Sequence, residues 1–378
     1  MRIGVNTRLL IEGKMDGIGW FAHESLRRLV ESHPEDQFIF FFDRKPARSF
    51  IFADNVTPVV LFPPARSPIL WYIFFQWSLR RALRRYRVDM LLSPDGYVPL
   101  QKKVPMLDVI HDLNFEHEDG NLKTSHQRYM TYFFSRYARC ATRIATVSQY
   151  SKDDIAKTYG ITPEKIDVVY NGASDVFHPV DAKTKEEIRD TYADGRPYFL
   201  FVSTILRRKN LTNLLKAFDS IRQRHDIRLI VVGKQVWWEG ELKEAYDQMQ
   251  HKESVNLLGR VPLDTLASVM ASAEALVYPS YFEGFGIPIV EAFNTDTPVI
   301  TSNTTSMPEI AGDAALLIDP TDPSDIAKAM ETIIMSEPTR RELIDKARER
   351  RVCFSWQHTA DLLWQSITAT INTPSTTN

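Results

Sequence analysis

The chain has 378 residues, 44% hydrophobic and 25% charged, which is long enough for two globular cores and ordinary for a folded protein. Lysine and arginine total 46 against 48 acidic residues, so the net charge of -2 gives no reason to expect nucleic acid as a partner. The two cysteines, Cys140 and Cys353, lie far apart, which excludes a disulfide framework and a cysteine zinc site and suits a reducing cytoplasm.

Met1-Arg2-Ile3-Gly4-Val5 runs straight into a strand-like segment, with no basic region, apolar stretch and cleavage site of a signal peptide. No apolar run approaches the ~20 residues needed to span a bilayer. The expectation is a cytoplasmic protein that touches a membrane peripherally at its inner face or not at all. In the first half, short apolar runs predict strands at 3–6, 38–42, 56–62, 89–93, 106–110, 143–147 and 166–170. Amphipathic segments between them predict helices at 20–30, 70–85, 125–141 and 151–158. Runs that are apolar throughout suit strands buried on both faces, hence a mainly parallel sheet between helices. Residues 176–197 hold Pro, Asp, Lys and Glu with little aliphatic content and read as a linker with a short helix. A second series follows at 198–202, 228–232, 255–258, 275–278, 298–301 and 315–318, again with helices between. This order predicts two doubly wound α/β domains, residues 1–175 and 198–355, and a ligand beyond the carboxyl ends of strands in a cleft between them. The polar tail from about Thr373 is expected to fray.

Four stretches carry chemistry. In Tyr278-Pro-Ser-Tyr-Phe-Glu-Gly-Phe-Gly-Ile-Pro-Ile-Val-Glu-Ala292 a strand gives way to a loop with Gly284 and Gly286, then to a helix with Pro288 in its first turn. The glycines let backbone approach a ligand, the helix start offers N–H groups to an anion, and Glu283 and Glu291 supply two carboxylates. Arg207-Arg208-Lys209 places three cations at a helix N-terminus, against the macrodipole. That conflict is relieved if an anion such as a diphosphate sits there; otherwise the run is a solvated basic patch. His111 ends an apolar strand, either as a structural imidazole or as a site residue. Asp16-Gly17-Ile18-Gly19 precedes the first helix, and with Asp43 after the second strand it offers a rival dinucleotide reading. Residues 8–16, however, separate the first strand from the glycines, which suits a flexible glycine loop facing the cleft better. Asp319, Asp322 and Asp325 flank prolines and read as turn and cap residues, so no metal site is expected.

Together these stretches resemble the retaining GT-B-fold glycosyltransferases of the family 4 type, group 1. The resemblance rests on Asp16-Gly-Ile-Gly19, Val109-Ile-His-Asp112, Val169-Tyr-Asn-Gly172, Arg208-Lys-Asn210, Leu258-Gly-Arg-Val261, the Glu283-x7-Glu291 motif and Pro308-Glu-Ile-Ala-Gly312. It covers residues 3–360 and implies an α/β GT-B architecture: two Rossmann-like domains facing across a cleft, with a last helix at 356–372 returning to the first. It implies transfer of a hexose from a UDP- or GDP-sugar to an acceptor hydroxyl, with no cofactor or metal. The acceptor would be a saccharide or lipid-linked saccharide, as in surface polysaccharide or glycolipid assembly. By the same resemblance, Glu291 would hold the ribose and Glu283 the sugar hydroxyls. Arg208 and Lys209, with Arg207 as the alternative arginine, would hold the diphosphate. The backbone of Gly284, Phe285, Gly286 and Ile287 would support it, with Gly17 and Gly19 beneath it from the other domain. His111 would contact the transferred sugar, and backbone at Arg260 and Val261 the base. Ser203 and Thr204 depart from the family, standing where many relatives carry Gly and some an additional Arg. The remaining alternatives are an NAD-dependent oxidoreductase using Gly17, Gly19 and Asp43 and an inactive sugar-nucleotide-binding scaffold. Finally, Trp71-Tyr-Ile-Phe-Phe-Gln-Trp77 runs into Arg80, Arg81, Arg84, Arg85 and Arg87, either a packing helix with a solvated basic end or an interfacial helix on anionic lipid.

Overall fold

The structure, a computed structural model, describes residues 1–101, 103–117 and 124–373; the expected fraying of the tail concerns residues outside these. The chain divides into two compact units, Met1–Asn171 with Trp356–Asn378, and Gly172–Ser355.

Unit 1 is built on strands β1 (Arg2–Asn6), β2 (Gln37–Phe42), β3 (Val56–Val60), β4 (Met90–Ser93), β5 (Met106–Val109), β6 (Arg143–Thr146) and β7 (Ile166–Val168). They form one parallel sheet in the order β3-β2-β1-β4-β5-β6-β7. All four residues of β4 and of β5 are buried, Ser93 and Asp108 included, which explains why the central strands read as largely apolar runs rather than as alternating patterns. Helix α1 (Gly17–Ser32) buries Phe21, Ala22, Ser25, Leu26, Leu29 and Val30 at helical spacing. Asp16 caps it by accepting from the Gly19 N–H at 3.1 Å. Gly17 and Gly19 therefore open a helix rather than form a free loop. The last helix, α5 (Trp356–Asn372), buries Trp356, Ala360, Leu363 and Ile367 in the same apolar cluster as Leu26 and Val30 of α1. Thr359 also donates to the Tyr170 carbonyl at 2.7 Å, and His33 stacks on Trp364. The return of the final helix to the first unit is thus borne out.

Unit 2 carries β8 (Tyr198–Val202), β9 (Arg228–Val232), β10 (Val255–Gly259), β11 (Ala275–Tyr278), β12 (Val299–Ser302) and β13 (Leu316–Ile318), parallel in the order β10-β9-β8-β11-β12-β13. Residues 176–197 hold the helix Ala182–Ala193. It is tied to unit 2 by an Arg189–Glu274 ion pair at 2.8 Å and by Asn256 donating to the Tyr192 carbonyl at 2.9 Å. Helix α3 (Leu211–Arg222) follows β8, and helix α4 (Ile287–Asn294) follows the loop after β11. Between them in space lies the point where strand order reverses, β8 against β11 (α2, Thr124–Cys140, belongs to unit 1). Loops leaving two such strands open in opposite directions, and the gap between them is where doubly wound sheets bind ligands.

One glycine shapes the edge of that gap. Gly233, just past β9, has φ +148°, and a Cβ there would lie 1.7 Å from the Ser203 carbonyl oxygen. The loops after β8 and β9 can approach only because position 233 has no side chain. Gly233→Ala should destabilise unit 2 by at least about 3 kcal/mol, read as a lower midpoint in urea unfolding.

Candidate functional site

The loop after β8 and the loop after β11 are joined by one carboxylate. Glu283 is 6% exposed; its Oε1 accepts from Lys209 Nζ at 2.5 Å and from the Tyr278 hydroxyl at 2.8 Å. Its Oε2 accepts from Arg208 at 3.1 Å, and the same guanidinium nitrogen donates to the Phe282 carbonyl at 2.8 Å. Burial pushes the Glu283 carboxyl up, but Lys209 and Arg208 outweigh it and hold the pKa at about 2. The anion that relieves the cationic run is therefore supplied first by the protein itself. Arg207, by contrast, stands exposed, so Arg208 is the arginine turned inward.

The backbone that presents these side chains is unusual at two points. Arg207–Lys209 form a single 3-10 turn, ended by Asn210 in the left-handed region at φ +57°. Asn is among the few residues besides Gly that visit that region. Here its amide donates to the Pro279 and Pro320 carbonyls at 2.9 and 2.6 Å. Gly286, at φ +100°, turns the second loop into α4, whose start has no side-chain cap among the described residues. Ser306 donates to the carbonyls of Glu283 and Phe285, and Thr305 accepts from the Glu283 N–H, so the Glu283–Gly286 turn is held from behind. The start of α4 is thus reached from a loop whose carboxylate already holds the two neighbouring basic side chains.

Glu291 lies within the same helix and behaves oppositely to Glu283. Its side chain keeps some surface exposed, yet its surroundings desolvate the carboxyl and raise its pKa to about 8. The two acids thus have separate chemistry: Glu283 is ionised at every physiological pH, whereas Glu291 is largely protonated near neutrality. Their linkage to stability has opposite signs. Glu283 contributes stability that is present above the ordinary carboxylate range and lost as pH falls toward about 2. Glu291 costs stability progressively as pH rises from that range through about 8. Arg260, which is exposed, and Val261, which is half-buried, follow Gly259 at the end of β10.

Unit 1 has a matching construction at its own reversal point, between β1 and β4. Asn6 donates to Asp95 at 2.7 Å and to Ser93 at 3.0 Å, and Arg8 donates to the other Asp95 oxygen at 2.5 Å. The Arg8 guanidinium lies 4.3 Å from the centre of the Tyr97 ring. His111 donates from Nε2 to the Pro94 carbonyl at 3.0 Å and meets the edge of Phe21 on α1. Burial lowers its pKa, so it is a neutral imidazole with Nδ1 as its acceptor atom. Sequence reasoning singled out His111 but not Asn6, Arg8, Asp95 or Tyr278, because each is ordinary alone and meets a partner distant in sequence, Lys209 Nζ at 3.2 Å in the case of the Tyr278 hydroxyl. Asp43, which a dinucleotide reading needs for a ribose, is buried and occupied: it takes two bonds from Arg44, at 2.6 and 2.8 Å, and the Ala65 N–H at 3.0 Å. Asp319 and Asp322 accept from Thr321 and Ser324 as turn and cap residues, and Asp325 accepts from the Asp319 N–H. His33, Glu35 and Asp36 come close enough to share an ion, but Asp36 pairs with the terminal amine of Met1.

Residues 183–350 match the family described as Glycosyl transferases group 1, and residues 15–176 match Glycosyltransferase Family 4. The chain belongs to this glycosyltransferase family. It is 28% identical over 364 residues to O-antigen chain mannosyltransferase B of Escherichia coli, covering 92% of this chain and 94% of that one. Over 268 residues it is 29% identical to the O-antigen chain mannosyltransferase RfbU of Salmonella typhimurium, covering 70% of this chain and 71% of the other. Among solved structures, sucrose-phosphate synthase from Thermosynechococcus elongatus matches with a TM-score of 0.78 at 17% identity, over 97% of this chain and 99% of that one. Anabaena HepE, solved in complex with UDP and glucose, matches at 0.71 and 17% identity over 98% and 100%. These likenesses establish the GT-B fold for the glycosyltransferase.

Glu283→Gln should cost about 3–5 kcal/mol, because it strands the buried Lys209 ammonium without its counter-charge. Adding Lys209→Met to that variant should restore part of the loss in urea unfolding; purely additive losses would show that the pair is not coupled.

Proposed function

We propose that this glycosyltransferase moves a hexose, specifically mannose, from a nucleoside diphosphate sugar to a hydroxyl of a growing surface polysaccharide, with the anomeric configuration retained. The observation that carries the reading is the Glu283 cluster at the reversal point of unit 2, where Lys209, Arg208 and the uncapped start of α4 converge. Support for mannose and for polysaccharide comes from relatives named as O-antigen mannosyltransferases.

In this reading the diphosphate sits at the start of α4 among the amides of Gly284 to Ile287, beside Arg208 and Lys209. Glu283 has two tasks. It fixes both basic side chains before the donor arrives, and it accepts hydroxyls of the sugar with whatever lone pairs the cations leave. Glu291 takes the ribose diol, backbone at Arg260 and Val261 takes the base, and His111 offers Nδ1 to a sugar hydroxyl. Gly17 and Gly19, in the first turn of α1, present backbone to the diphosphate. The bond from C1 to the diphosphate oxygen breaks as the acceptor oxygen bonds to C1 on the same face, and the acceptor proton passes to the departing phosphate oxygen. Preorganised cations and amides stabilise the charge on that leaving group, with no metal or resident cofactor in the step.

Two measurements test the assignment. Lys209→Ala should lower mannosyl transfer from GDP-mannose by about 100- to 1000-fold, the usual loss when one preorganised charge-stabilising donor is removed; unchanged turnover removes the phosphate role. Because ribose hydroxyls donate to a carboxylate, only ionised Glu291 binds them well. Affinity for a nucleotide sugar, whose own charge is constant in this range, should therefore rise between about pH 6.5 and 8.5. Calorimetry on Glu291→Gln should show weaker, pH-independent binding; a wild-type profile in that variant refutes the ribose assignment.

A further inference from the structure

Unit 1 holds a pair of arginines fixed by buried acids, and nothing above gives them a task. Its strands are parallel, so the residues that follow β1 to β5 gather along one edge of the sheet. Arg8 follows β1, Asp43 and Arg44 follow β2, Ala65 and Arg66 come after β3, Asp95 follows β4 and His111 follows β5. Asp95, its side chain 2% exposed, accepts from Arg8 Nε at 2.5 Å, and that guanidinium lies 4.3 Å from the centre of the Tyr97 ring and 5.7 Å from that of Phe75. Asp43, 1% exposed, accepts from Nε and Nη2 of Arg44 at 2.6 and 2.8 Å, which leaves Arg44 Nη1 without a hydrogen-bond partner among the described residues. The Ala65 N–H donates to the same carboxylate at 3.0 Å and brings the loop of Arg66 alongside. Arg8 lies close enough to Arg44 and Asp43 to feel both charges.

Ion pairs with a buried acid are a poor source of stability, since apolar residues of similar volume often serve as well or better. Two of them side by side accomplish something else: they fix two guanidinium forks at a sheet edge while 11% of the Arg8 side chain and 30% of that of Arg44 stay exposed. Lys45, Arg48 and Arg66, all exposed, add charge from the loops after β2 and β3, and Arg66 lies within residues 55–88, which contain no acid. Glu12 and Asp16, in the loop after β1, offset only part of this charge. The construction matches that of unit 2, where buried Glu283 fixes Arg208 and Lys209. A fork with an N–H to spare suits an oxyanion. Two forks from adjacent loops suit one whose oxygens point in several directions, a tetrahedral phosphate rather than a planar carboxylate.

We infer that this edge of unit 1 binds a phosphate group carried by the acceptor, held by Arg8 and Arg44 with the loop of Arg66 beside them. At about 4.8 Å between strands, Arg8 stands about 10 Å and Arg44 about 14 Å along the edge from His111, two and three strands away. His111 is the residue assigned to the transferred sugar, so the phosphate lies beyond the acceptor sugar that receives it. The inference rests on that reading for the identity of the ligand as acceptor, and not for the binding of phosphate itself. Among the described residues no helix is long and apolar enough to cross a membrane, and none of these groups depends on a bilayer. What they recognise is the phosphate, whether on a free sugar phosphate or on a lipid-linked diphosphate.

The test is calorimetry with inorganic pyrophosphate on the full chain. Pyrophosphate should fill two sites, one lost in Lys209→Ala and the other weakened about ten- to a hundred-fold in Asp43→Asn/Arg44→Gln, a paired change that leaves no buried charge without its partner. Binding that this double variant leaves unaltered overturns the proposal. A single site, sensitive to the double variant and not to Lys209→Ala, would instead sink the donor assignment and leave this one standing. Should the double variant unfold, Arg44→Lys keeps the charge but not the fork, and should still weaken the site at least about five-fold; wild-type affinity there overturns the proposal too. On the Lys209→Ala background, mannose 1-phosphate and decyl diphosphate separate the two sources, the tighter of them naming the free or the lipid-linked phosphate. Binding of neither, or of glucuronate as tightly as either, refutes a phosphate site.

Discussion

A buried acid facing two bases holds the centre of unit 2 of this glycosyltransferase in shape. Glu283 comes from the loop after β11, Arg208 and Lys209 from the turn after β8, and the two strands are neighbours only because the sheet reverses order between them. Without the carboxylate, two cations would stand at helix starts whose dipoles repel them. With it, the basic groups are set in place before any ligand binds. Preorganisation of this kind is what lets charge stabilise a leaving group without reorganising during the reaction. In the proposed function the same cluster that ties the two loops also faces the leaving group.

Glu283 and Glu291 show how one motif divides two tasks. Eight residues apart, they lie on a loop and a helix, and their surroundings push their pKa values in opposite directions, to about 2 and about 8. Two cations keep the first ionised, while desolvation with no counter-charge keeps the second protonated. The first behaves as a fixed charge. The second changes charge near neutrality.

Unit 1 repeats the scheme with other residues. At its reversal point, between β1 and β4, Asp95 is held by Asn6 and by Arg8, whose guanidinium lies over the Tyr97 ring. Pro94, next to Asp95, gives the carbonyl that orients His111. In both units an ion pair spans the first strand loop and the loop of the strand that reverses the order. The shared logic is topological: those two loops diverge, and a charge pair is an economical tie across polar ground.

All thirteen strands fall on segments read as apolar runs; for the central ones the reason is burial on both faces, whereas β3 and β13, at sheet edges, carry exposed residues. The Gly284–Gly286 loop, Pro288 and the two acids were legible too, since a left-handed turn into a helix at φ +100° demands glycine. The return of α5 followed from the family resemblance. Tertiary structure alone decided which arginine turns inward, that Lys209 meets Glu283 before any ligand does, and that Asp43 is spent on Arg44 and Ala65. It also decided that Gly17 and Gly19 open a helix and that Gly233 must lack a side chain to pass Ser203. Periodicity records what one segment needs from solvent and core. A contact between residues seventy positions apart depends on strand order, which local sequence does not encode.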